Sequence, residues 1–227
     1  MKTIRFLGHS CFMISNDKER ILIDPFLTGN PLAAVKSDEL KPTLILVTHG
    51  HGDHIGDAVE ISVRTGAPIL GVFELVNYCM AKGAKGISAH MGGKIPFEFG
   101  WVKIVPAFHS SSTGDGVYTG HPVGFVINFY GHHIYHAGDT CIFGDMELIS
   151  RLYRVDTALL PIGGNYVMDI DDAVEAARLL NCSNAIPMHY NTFPPIEADP
   201  VVFREKLENK TRANGVVLKP GEEMVLE

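Results

Sequence analysis

The chain has no run of lysine and arginine, no long apolar stretch and no two cysteines at C-x-x-C spacing. Each absence removes a class of function. Its 227 residues carry 19 basic and 26 acidic side chains, a formal charge of −7. Nucleic acids and anionic membranes select a clustered positive surface, so neither is an expected partner. The longest purely aliphatic run, Leu44-Ile-Leu-Val47, falls far short of the roughly 18 residues that mark a membrane span. The four cysteines, Cys11, Cys79, Cys141 and Cys182, lie far apart, and are expected to be reduced thiols buried as small hydrophobes. The segment Met1–Leu7 carries Arg5 and no sustained apolar stretch, so no secretory leader is expected and the cytoplasm is the expected location. Neither a low-complexity tract nor a Pro/Ser-rich linker divides the sequence, and one domain over residues 1–227 is expected.

What is present is the composition of an ordinary soluble globule, 46% hydrophobic and 20% charged, in a chain long enough to need no disulfide staple. Short β-type runs recur at 3–7, 11–15, 21–23, 43–47, 68–72, 102–108, 124–129, 133–136, 157–160, 185–188 and 216–218. Several are continuous aliphatic stretches, as in strands covered on both faces. Helices are predicted over 57–64, 73–82, 145–152, 172–180 and 200–209. In the fourth, Asp172 and Glu175 have capping-box spacing, and Ala173, Val174, Ala177 and Leu180 share one face. Strands dominate both halves and each half has helices, which predicts an α/β protein with two packed sheets and helices outside. Periodicity alone does not show whether the halves are related.

Eleven histidines are present, and their placement carries more information than their number. The segment Thr43-Leu-Ile-Leu-Val-Thr-His-Gly-His-Gly-Asp-His-Ile-Gly-Asp57 runs from a buried strand into three histidines and two aspartates. Alternation along an extended chain sends His49 and His51 to one side, and the intervening glycines let the backbone turn around a ligand. Imidazole with carboxylate is the ligand set of Zn, Fe, Mn or Ni. Four such groups within six residues repel one another once protonated, an arrangement with no obvious reward unless a metal is bound.

The His49-Gly-His51-Gly-Asp53-His54 segment resembles the H-x-H-x-D-H signature of the metallo-β-lactamase superfamily. That pattern continues with a histidine after a later strand, an aspartate near the end of another and a last histidine close to the C-terminus. Pro106-Ala-Phe-His109, Tyr135-His-Ala-Gly-Asp139 and Pro187-Met-His189 fill these positions in order. Gly8-His9-Ser10, Ile23-Asp24-Pro25 and Pro161–Met168 narrow the likeness to a branch of small uncharacterised metal-dependent hydrolases related to ascorbate-6-phosphate lactonase. The resemblance implies a four-layer αββα sandwich with two mixed sheets and helices on the outer faces. It implies a binuclear centre of two divalent ions, Zn2+ foremost, with Mn2+, Fe2+ and Ni2+ as alternatives. His49, His51 and His109 would hold one ion, Asp53, His54 and His189 the other, and Asp139 would bridge them.

Two divalent ions against the two carboxylates Asp53 and Asp139 leave a local excess of positive charge in an acidic protein. The expected substrate is therefore a small anionic or strongly polarised ester, lactone or phosphoester, attacked by a metal-activated hydroxide. Asp53 and Asp139 are the candidate catalytic carboxylates, with Asp53 or water returning the proton to the leaving group. Asp24 either caps a turn or orients a ligating histidine. His9 either settles into the core or borders the pocket, and Asp57 either starts a helix or supports a ligand. His136 is read as structural. Asn165 and Tyr166, with Met168, lie on a strand-to-helix loop where substrate contacts are expected, and Tyr190 and Asn191 are further pocket candidates. Ser110–Gly120 is either a surface loop or a mobile wall of the pocket. Two other chemistries fit the same ligands: an iron-dependent redox enzyme, and a phosphodiesterase or nuclease. Assembly is left open, a homo-oligomer being compatible with the sequence.

Overall fold

A parallel strand buried on both faces must be apolar throughout, and Leu44, Ile45 and Leu46 meet that requirement with at most 3% exposure each. Each such side chain contributes about 1.5–3 kcal/mol relative to an exposed position. In the computed structural model, which describes residues 1–227, these residues form β4, an interior strand of the first of two seven-stranded sheets. The chain divides into two compact units, residues 1–91, 110–122 and 218–227 in the first and 92–109 and 123–217 in the second.

The first unit contains β1 (Lys2–Gly8), β2 (Cys11–Ser15), β3 (Arg20–Ile23), β4 (Leu44–Leu46), β5 (Ile69–Val72), β6 (Gly86–Ala89) and β14 (Glu223–Leu226). Its sheet order is β14-β1-β2-β3-β4-β5-β6. Pairing is antiparallel from β14 to β3 and parallel from β3 to β6. Its helices are α1 (Gly52–Ile55), α2 (Ala58–Thr65) and α3 (Phe73–Ala81). The apolar positions Leu75, Val76 and Cys79 of α3 are buried.

The second unit contains β7 (Lys94–Phe97), β8 (Gly100–Pro106), β9 (Val123–Phe129), β10 (His132–His136), β11 (Thr157–Pro161), β12 (Asn184–Met188) and β13 (Asn214–Gly215). The order β7-β8-β9-β10-β11-β12-β13 repeats the arrangement of the first sheet. Pairing is antiparallel from β7 to β10 and parallel from β10 to β13. Its helices are α4 (Asp145–Tyr153), α5 (Ile170–Leu180) and α6 (Pro200–Lys210). The two mixed sheets with helices are those the sequence predicts, and the shared strand order relates the halves where periodicity did not.

Local readings need correction at four places. Helix α5 begins at Ile170, and its N-cap is Asp169, whose carboxylate accepts from Asp172 N. Asp172 is thus the third helical residue rather than the cap, and the Asp172–Glu175 capping box does not form. Residues 216–218 are not a strand. The edge strand β13 is only Asn214–Gly215, and its pairing with β12 ends after those two residues. Cys141 is exposed, on the segment between β10 and α4, while the other three thiols are buried. The strand preceding the histidine segment stops at Leu46, so His49 and His51 lie beyond it rather than along it. No helix is long and apolar enough to cross a membrane.

Candidate functional site

Each of the seven predicted metal donors follows the C-terminal end of a strand. His49, His51, Asp53 and His54 come after β4, His109 after β8, Asp139 after β10 and His189 after β12. In open α/β sheets this is where loops converge on a ligand.

In the first unit the short helix α1 explains the spacing of its donors. His51 is the N-cap, and Asp53 and His54 occupy the turn that follows. His49 Nε2 and His51 Nδ1 are 3.0 Å apart, and the rings of His49 and His54 have centroids 4.2 Å apart. The donor atoms of His9, Asp53 and His54 lie within 4.8 Å of one another.

Asp24 organises this set. It is fully buried and holds a left-handed backbone, φ 44°, a conformation that costs free energy and persists where surrounding contacts impose it. One oxygen, Oδ1, accepts from Thr48 N at 2.8 Å. The other, Oδ2, lies 2.7 Å from His54 Nδ1 and accepts from Thr48 Oγ1 at 2.7 Å. With its hydrogen directed to Asp24, Thr48 Oγ1 accepts from His49 Nδ1 at 3.0 Å. An ionised carboxylate only accepts, so the relay makes Nδ1 the protonated nitrogen of both histidines and leaves Nε2 to carry the lone pair. This is the outer hydrogen bonding that metal-ligating histidines use. Thr48 was invisible to sequence reasoning, its one signal being its place directly before His49.

His9 is fully buried, and its Nε2 stands 3.2 Å from Asp53 Oδ2. It borders the donor set and does not merely fill the core. Its φ is 58°, directly after Gly8, where φ is 112° and a Cβ would meet Leu32 O at 2.6 Å. Only glycine fits there, and the turn delivers the ring to Asp53. Asp57 precedes α2 without capping it through its side chain. Its Oδ2 accepts from Leu27 N at 3.0 Å and Thr28 N at 2.8 Å, so it ties down a loop.

In the second unit, Asp139 gathers the remaining two histidines. Its Oδ2 is 3.1 Å from His189 Nε2 and 3.5 Å from His109 Nε2. His189 has φ 55°, another left-handed residue at the mouth of a strand. Thr140 joins the two segments: its Oγ1 accepts from Phe108 N at 3.0 Å and donates to Cys141 O at 2.7 Å. His136 is buried in β10, and its Nδ1 accepts from Gly138 N at 3.1 Å, which supports the turn into Asp139 and fits the structural reading. Asn165 and Tyr166 lie on the loop between β11 and α5, Tyr166 with 61% exposure. Tyr190 is half-buried, and burial pushes its hydroxyl up to about 12.

Residues 3–189 match the model of the β-lactamase superfamily domain. A UPF0173 metal-dependent hydrolase from Thermus thermophilus is 48% identical over 227 residues, covering all of both chains. Another from Pelotomaculum thermopropionicum is 49% identical, over 98% of this chain and 99% of the relative. The chain belongs to the UPF0173 metal-dependent hydrolases of the β-lactamase superfamily. Among solved structures, the UPF0173 chain resembles Igni18, a metallo hydrolase from Ignicoccus hospitalis. The TM-score is 0.92 at 42% identity, over 100% of this chain and 98% of that one. An isothiocyanate hydrolase from Delia radicum gut bacteria has a TM-score of 0.79 at 18% identity, over 99% and 98% of the two chains, and shares the fold.

Proposed function

We propose that the chain hydrolyses a small anionic ester, lactone or phosphoester with a pair of divalent ions, Zn2+ foremost. Its donors would be His49, His51, Asp53, His54, His109, Asp139 and His189. The reading rests on family membership and on the donor chemistry. One observation carries it: buried Asp24 fixes the tautomers of His49 and His54 through His54 Nδ1 and Thr48. A histidine that merely filled a core would need no carboxylate to choose which nitrogen keeps its lone pair. The 3.0 Å between His49 Nε2 and His51 Nδ1 also fits two ligands of one ion, since Zn–N bonds of 2.0–2.1 Å in a tetrahedron place neighbouring nitrogens about 3.3 Å apart.

By the family pattern His49, His51 and His109 would hold one ion, Asp53, His54 and His189 the other, and Asp139 would serve both. When bound, the pair supplies Lewis acidity and lowers the pKa of water so that hydroxide is available near neutrality. The chain's own residues do the remaining work. Asp24 and Thr48 hold two imidazoles in one orientation, and Asp139 presents a single oxygen toward two histidines. Asp53 is partly exposed with His9 against it, and the leaving group takes its proton from water, or from Asp53 where that carboxylate frees from the metal. A site with two divalent cations and two carboxylates favours an anionic substrate.

Elemental analysis of natively purified protein tests the metal pair. A hydrolysis screen over phosphorylated lactones, acyl esters and phosphodiesters then tests the reaction. Asp139→Ala is expected to lose most of both metal and rate. Full metal content and rate in that variant would overturn the assignment.

A further inference from the structure

Residues 110–122 follow His109 in sequence and pack in the first unit. They fold as a small hairpin: Ser112 and Tyr118 form an antiparallel bridge, Thr119 N bonds Ser111 O at 3.2 Å, and Thr113 N bonds Val117 O at 2.9 Å. At the tip, Asp115 accepts from Thr113 Oγ1 at 2.5 Å and from Tyr78 Oη of α3 at 3.0 and 3.2 Å. At the base, the hydroxyls of Ser111 and Thr119 are both buried and lie 2.7 Å apart.

That buried pair meets the histidine segment at Gly50. Ser111 Oγ accepts from Gly50 N at 3.2 Å, and Gly50 separates His49 from His51. The approach is close enough that a Cβ on Gly50 would stand 2.1 Å from Thr119 Oγ1. Only glycine admits this contact, yet glycine is also the residue with the most backbone freedom to lose. Unless its amide were held, the chain on either side of Gly50 would sample many separations of the two imidazoles, and a ligand would bear the cost of ordering them.

We propose that Ser111, held by Thr119, is a positioning residue that sets the spacing of His49 and His51 through the Gly50 amide. The hairpin is thereby a brace anchored on α3 at its tip and on the histidine segment at its base. The inference rests on the reading of His49 and His51 as metal ligands.

Co2+ titrated into metal-stripped full-length protein is the probe, followed by its visible absorption and by competition with a chelator. Thermal melting of the metal-free protein is recorded alongside. Ser111→Ala and Thr119→Val are expected to weaken Co2+ binding about 10–100-fold, as loss of an outer hydrogen-bond partner does, and to alter the absorption band. Thr119→Ser keeps the hydroxyl and is expected to restore both. Tyr78→Phe, which loosens only the tip, is expected to lower the melting temperature and leave the band in place. Affinity and band unchanged from the wild type in both hydroxyl-less variants would overturn the inference, whatever their melting temperatures. Where Ser111→Ala does not fold, the near-isosteric Thr119→Val decides. A wild type that takes up no Co2+ would instead overturn the metal reading on which the inference depends.

Discussion

His54 Nδ1 and Asp24 Oδ2 stand 2.7 Å apart, and neither side chain is exposed to solvent. A buried carboxylate without partners costs several kcal/mol, and Asp24 avoids that cost by accepting from His54, Thr48 N and Thr48 Oγ1. Asp24→Asn keeps the volume and removes the charge. With the amide oxygen still accepting from Thr48 N, the amide nitrogen faces His54 and donates to Nδ1, which moves the ring proton to Nε2. Divalent metal affinity is expected to fall about 10–100-fold, measured by chelator competition on the folded variant. Unchanged affinity would mean that the pair serves the fold alone.

The cap of α5 separates two readings of one helix start. Asp169 accepts from Asp172 N at 2.9 Å, one of the otherwise unsatisfied amides of a first turn. Asp169→Ala is expected to cost about 0.5–2 kcal/mol in chemical denaturation. Glu175 binds Arg178 on the surface instead, and Glu175→Ala is expected to cost well under half as much. The reverse ranking would restore the Asp172–Glu175 box read from the sequence.

Tyr135 in β10 is wholly enclosed, and its hydroxyl has no hydrogen-bond partner in the protein. Burial also pushes its pKa far up. Removing an unsatisfied buried polar atom relieves a desolvation cost on the order of 1–3 kcal/mol, set against the small cavity left behind. Tyr135→Phe is therefore expected to melt at the same temperature as the wild type or a few degrees higher. A drop of several degrees would show that the hydroxyl is satisfied in solution, by an internal water.

Why were some elements legible in the sequence and others not? Strands β4 and β12, which precede five of the predicted metal donors, were, because each is a run of buried apolar side chains, and such runs announce interior strands. Gly86–Ala89, Lys94–Phe97 and Glu223–Leu226 were not. All three are edge strands, exposed or half-buried at every position but Leu226, so they lack the continuous apolar signal. Val216–Leu218 shows the opposite error: the residues are aliphatic, but the ladder beside β12 ends at Gly215. Thr48, Thr140, Ser111 and Thr119 escaped for a different reason. Their roles arise from contacts such as Ser111 with Gly50, 61 positions apart, and Thr140 with Phe108, 32 apart. A hydroxyl residue has no sequence feature that reveals a partner at such range.

His133 on β10 carries a pH dependence of stability. Its cross-strand neighbour is Asn128, whose Oδ1 accepts from Gly131 N at 2.9 Å, turning the amide nitrogen toward His133 Nε2 at 3.0 Å. That nitrogen accepts, so the folded protein holds the ring neutral. Burial lowers its pKa, against the opposing pull of Asp156. The unfolded chain thus takes up a proton near the ordinary histidine value, about 6.5, while the folded chain does so only at lower pH. Where the unfolded state binds more protons, stability rises with pH. The contribution is complete above about pH 6.5 and is lost as pH falls toward the lowered folded value. His133→Gln removes this titration, so the stability gap between wild type and variant is expected to narrow from pH 8 to pH 5.5. Melting curves of the two proteins in parallel measure it, and a gap that widens on acidification would require a charged, Asp156-paired imidazole instead.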